Sequence, residues 1–139
     1  MGQWITAALG GVCVLTAPAM AVEPSDFNAN TTRDLVALCS DQPGDPLYAE
    51  AKQFCYGFLA GIAQFHRSMV HGEKIEPLAC PKYEITREQL VGVLLGWAKA
   101  NPRSMDELPA ESLARAAAAQ WPCDSRPTAA PLRSGSGER

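Results

Sequence analysis

No stretch of this chain reaches the roughly 18 to 20 consecutive apolar residues that a membrane-spanning helix needs. Nor is there a basic stripe: the formal charge is −3, and Lys and Arg are scattered, which argues against a nucleic-acid partner. The sequence has no Cys-x-x-Cys pair, no His-Glu-x-x-His, no glycine-rich phosphate loop and no Gly-x-Ser-x-Gly elbow. Its two histidines, His66 and His71, are five residues apart and cannot share one helix face, so neither a zinc site nor any other cofactor is expected. Aromatic residues are sparse while alanine is abundant, which favours packed helices over a sheet. At 139 residues the chain is one domain's worth.

What is present starts with an export signal. Ile5 to Ala17 is uncharged and mostly apolar, and Ala19-Met20-Ala21 has the small-x-small form of a cleavage site. No Lys or Arg precedes the run, a departure from the usual pattern. Residues 1–21 are therefore expected to be a signal peptide cleaved after Ala21, residues 22–29 a flexible leader, residues 30–123 a helical domain and residues 124–139 a disordered tail. The tail is rich in Ser, Gly, Pro and Arg and too poor in apolar residues to fold.

Four helices are predicted in the domain. The first begins near Asn30-Thr31-Thr32, with Asp34 at its positive end. The longest runs from about Pro46 to Val70: Leu47, Ala51, Phe54, Cys55, Phe58, Ile62, Phe65 and Met69 recur at steps of three and four. Gly57 and Gly61 fall on one side of it, and each costs about 1 kcal/mol relative to Ala inside a helix, so a closely packed neighbour is expected there. Thr86-Arg87-Glu88-Gln89 is a capping box opening a third helix, which Asn101-Pro102 breaks. A fourth runs from about Asp106 or Pro109 to Gln120, and Trp97 and Trp121 read as core anchors.

Without residues 1–21 four cysteines remain, Cys39, Cys55, Cys80 and Cys123. An even number in an exported chain implies two disulfides. Three pairings are open; reach allows Cys80 to fold back onto Cys55, which would leave Cys39 to Cys123, without excluding the other two. The fold class expected is all-α, a small disulfide-linked bundle of about four helices.

No catalytic constellation emerges. Glu73 and Glu76 flank Lys74 as a solvated loop would, and His66 beside Arg67 reads as a surface or boundary residue. The chain reads as a binder or structural protein, not an enzyme.

Several motifs in order add to this: Cys55-Tyr56-Gly57-Phe58-Leu59-Ala60-Gly61, Cys80-Pro81, Ile85-Thr86 with Gln89-Leu90, Asn101-Pro102, and Ala117 to Pro122-Cys123. Together they resemble the Rap/Tai family of periplasmic immunity proteins, which neutralise peptidoglycan amidases delivered by type VI secretion. The resemblance spans about Asp34 to Cys123. It implies a small helical protein without catalytic residues, often a dimer, whose partner is a cognate cysteine amidase and whose projecting loop occludes that enzyme's Cys-His pair. Here the Pro-punctuated stretch from Gly72 to Tyr83 suits that role, with Ile75, Glu76 and Leu78 as partner-binding residues; the turn at 101–108 is the rival. A chaperone or structural role in the periplasm is the alternative function.

Overall fold

The computed structural model describes residues 21–40 and 42–124, so residues 1–20 of the expected signal peptide and the expected tail beyond Asp124 lie outside the described residues. Among the described residues there are four α-helices and no strand: α1 (Thr32–Cys39), α2 (Tyr48–His71), α3 (Arg87–Ala100) and α4 (Pro109–Gln120). The fold is small, all-α and disulfide-linked.

Local chemistry starts each helix. The Thr31 hydroxyl accepts the Asp34 N–H, and the Asp34 carboxylate accepts the Thr31 N–H at 3.0 Å. Thr86 and Gln89 repeat that exchange ahead of α3, at 3.2 and 2.9 Å. Each capping box satisfies amides that the first helical turn leaves without partners. Before α2, the Asp45 carboxylate accepts the Leu47 N–H at 2.7 Å, so the helix opens after a turn, at Tyr48 rather than Pro46. Pro109 occupies the first position of α4, where its missing N–H is not needed.

Apolar faces then set the packing. Leu35, Cys39, Cys55, Leu59, Leu94 and Leu113 form one buried cluster drawn from all four helices. Removing a buried leucine such as Leu59 would cost about 2–5 kcal/mol. At the start of α1 the Thr32 N–H donates to the Glu107 carbonyl at 2.8 Å and the Arg33 N–H to the Met105 carbonyl at 2.9 Å. The Thr32 hydroxyl also reaches Ser112 Oγ at 2.7 Å, both groups being fully buried. The segment between α3 and α4 is thereby fastened to α1.

Four expectations are corrected. First, residues 22–29 are not a free leader. Pro24–Asn28 forms a 3-10 turn, Val22 is buried with Leu38 and Ala51, and Phe27 meets Phe54 edge-to-face at 5.6 Å. Second, Gly57 and Gly61 are exposed, and a Cβ at either would meet nothing within 4 Å. Among the described residues no helix packs on them. Third, only the first half of α2 is buried, through Ala51, Cys55 and Leu59, while Phe65 is 65 % exposed. The helix outruns its neighbours.

Fourth, the disulfides join Cys39 to Cys55 and Cys80 to Cys123, with Cα–Cα distances of 5.2 and 4.8 Å. The pairing of Cys55 with Cys80 fails because α1 and α2 form a hairpin across a short link. Cys39, at the end of α1, then faces Cys55 inside the core, out of reach of the later loop. On the chain-entropy view, loops with sequence separations of 16 and 43 contribute about 3 and about 4 kcal/mol.

Candidate functional site

The connection from α2 to α3 carries most of the exposed apolar side chains. Ile75, Leu78 and Tyr83 are exposed along it, and Phe65 is exposed on the helix that leads into it. Its path is fixed at three points. At the start, the N–H groups of Glu73 and Lys74 donate to the carbonyls of Val70 and Met69, and Glu73 has φ 55°. That is a Schellman motif. The left-handed residue is Glu73, one position beyond the capping residue Gly72.

The second point is His66, whose Nε2 accepts the Leu78 N–H at 3.1 Å. At the third, the Cys80 N–H donates to the Trp121 carbonyl at 2.8 Å, and the Cys80–Cys123 disulfide bolts the same place to the end of α4. Between these fixings lie the sequence-predicted residues: Ile75, Glu76 and Leu78 are all exposed. Apolar side chains on a pinned, protruding loop bring contact area without much ordering on docking. Sequence reading missed Phe65, because helical periodicity shows which face a residue is on but not where the neighbouring helices end.

The rival turn is differently employed. Carbonyls of Met105 and Glu107 hold α1, and Arg33 pairs with Asp106 at 2.9 Å, leaving Leu108 as its one large exposed apolar side chain. Trp97 and Trp121 are half-buried and do not belong to the core clusters. With Tyr83, Gly92, Gly96 and Ala119 they line a groove of about 410 Å³ between α3 and α4 that has no charged wall.

A smaller cleft of about 200 Å³ lies over the Cys39–Cys55 bridge, with Tyr48, Lys52, Tyr56 and Glu88 at its edges. The exposed Glu88 carboxylate is held below its ordinary range, first by a backbone hydrogen bond and then by the Thr86 hydroxyl. Among the described residues no group of three His, Cys, Asp or Glu side chains could hold a metal ion, and all four cysteines there are oxidised. Glu73 and Glu76 both stand in solvent, with no buried carboxyl between them.

The described residues thus form a helical scaffold with a loop fastened at three points and carrying exposed apolar side chains. Residues 31–123 match the family of Rap1a immunity proteins, and the chain belongs to that family. No curated protein and no solved structure matches it. Membership implies an immunity role against a type VI effector, exercised by binding that effector, and points to inhibition rather than catalysis. Two disulfides and the family fit an exported, periplasmic protein, and among the described residues no helix is long and apolar enough to cross a membrane.

Proposed function

We propose that this chain is a periplasmic immunity protein that binds a type VI-secreted peptidoglycan amidase and covers its catalytic cleft with the loop from Gly72 to Tyr83. The observation that carries the reading is the fastening of that loop by the Schellman turn, by His66 and by the Cys80–Cys123 bridge, with Ile75 and Leu78 outward between them. Interfaces of this kind pair a greasy centre with a polar rim. Ile75 and Leu78 supply the centre, and Glu73, Lys74, Glu76 and Lys82 supply the rim. Occlusion needs no catalytic group on the inhibitor, only a surface that excludes substrate.

In this reading residues 1–21 direct export and are removed after Ala21, and residues 124–139 lie outside the inhibitory unit. A homodimer, which the resemblance implies, is read out by sedimentation of the mature protein. The functional test is co-expression in the periplasm with type VI-delivered cysteine amidases. Protection from lysis is expected, and its loss in a folded variant with Ile75, Glu76 and Leu78 changed to Ala. Continued lysis with the native chain present, and no complex in pull-down, would defeat the proposal.

A further inference from the structure

Val22 lies near the start of the described residues and is packed into the fold. Val22 is only 7 % exposed, seated on Leu38 and Ala51, whereas Ala21 before it is exposed. The backbone nitrogen of Val22 donates to Oδ2 of Asp45 at 2.7 Å in a partly buried contact. The other oxygen of that carboxylate accepts the Leu47 N–H at 2.7 Å. Asp45 is thus held at the start of α2 and cannot turn away without losing a second bond. Independently, Ala19-Met20-Ala21 marks the bond after Ala21 for cleavage. The nitrogen bonded to Asp45 is the one that cleavage would liberate.

We infer that processing between Ala21 and Val22 completes the fold, by creating an α-ammonium group that forms an ion pair with Asp45. Hydrolysis consumes one water. Ala21 leaves with the new carboxylate, and Val22 keeps its nitrogen as an amine that is protonated to the ammonium form. In the unprocessed chain this nitrogen is an amide and gives Asp45 a single hydrogen bond. After processing it carries a full charge at the same 2.7 Å position, and a hydrogen bond between two charged partners is the stronger kind. Partial burial shields the pair from salt better than an exposed site would. The position of cleavage rests on the export reading above; the pairing rests on the geometry of Val22 and Asp45.

The test compares protein that begins at Val22 with a free amine, made by removing an upstream tag, and the same chain acetylated at Val22. Acetylation removes the charge but leaves one N–H on the nitrogen, in an amide like that of the unprocessed chain. The acetylated form should unfold at a lower temperature, by a margin that narrows as salt rises and disappears in the D45N background. Equal midpoints for the two forms, or a difference that persists undiminished in D45N, would overturn the ion pair. The mass of the exported protein keeps the two readings apart. A start at Val22 with no effect of acetylation defeats the pair alone, whereas a start elsewhere defeats the processing step and the assigned cleavage site with it.

Discussion

His66 and Leu78 are joined by a hydrogen bond of 3.1 Å from the Leu78 N–H to Nε2 of the imidazole. Accepting through Nε2 requires a neutral ring with its proton on Nδ1. The bond ties the middle of the exposed connection to α2, twelve residues earlier in the chain.

His66→Ala should therefore separate folding from binding. Loss of a single exposed hydrogen bond changes stability by about 1 kcal/mol or less. The Leu78 amide should exchange faster with solvent, and affinity for the effector should fall because the loop must be ordered on docking. Hydrogen exchange and calorimetry read the two effects. An unchanged Leu78 exchange rate would show that the loop is held without His66.

The two disulfides should behave differently. C39A/C55A removes a bridge inside the main cluster and should cost about 3 kcal/mol or more, since a buried site is also emptied. C80A/C123A releases the loop from α4 and should reduce effector binding as well as stability. Thermal melts and binding titrations of the pair check this. Equal binding losses in both variants would contradict a special role for the second bridge.

Gly57→Ala and Gly61→Ala should each stabilise the chain by up to about 1 kcal/mol, because both sites are helical and a methyl there meets nothing. Chemical denaturation measures it. A loss of stability in both would mean that these glycines are covered in solution by something beyond the described residues.

Signals confined to a few residues were legible in the sequence. The helix start near Thr31 with Asp34 in its first turn, the capping box at Thr86, the start of α4 at one of its two readings, Pro109, and the break at Asn101-Pro102 all follow from local hydrogen bonding and proline geometry, and the helices open and close there. What depends on distant partners was not. Phe65 obeys the apolar period of α2 yet stands in solvent, because nothing in the period says how far α1 and α3 extend. Val22 looks like loose leader until Leu38, Ala51 and Asp45 are brought beneath it. The cysteine pairing was decided by the α1–α2 hairpin, and reach along the chain could only say what was permitted. At the site, the charge and apolar mix of residues 72–83 was readable, whereas its fastening by His66 and Trp121 joins positions 12 and 41 residues apart.

Occlusion by the Gly72–Tyr83 loop is tested most directly by titrating the mature protein into a type VI cysteine amidase against which it protects and measuring Kd by calorimetry. The native chain should bind tightly, and I75A/L78A should weaken binding by tenfold or more, since truncating a central interface residue costs on the order of 2 kcal/mol and tenfold is about 1.4 kcal/mol. L108A, on the rival turn, should leave Kd unchanged. Native affinity in I75A/L78A, with the loss appearing in L108A instead, would contradict the assignment of the loop as the inhibitory surface.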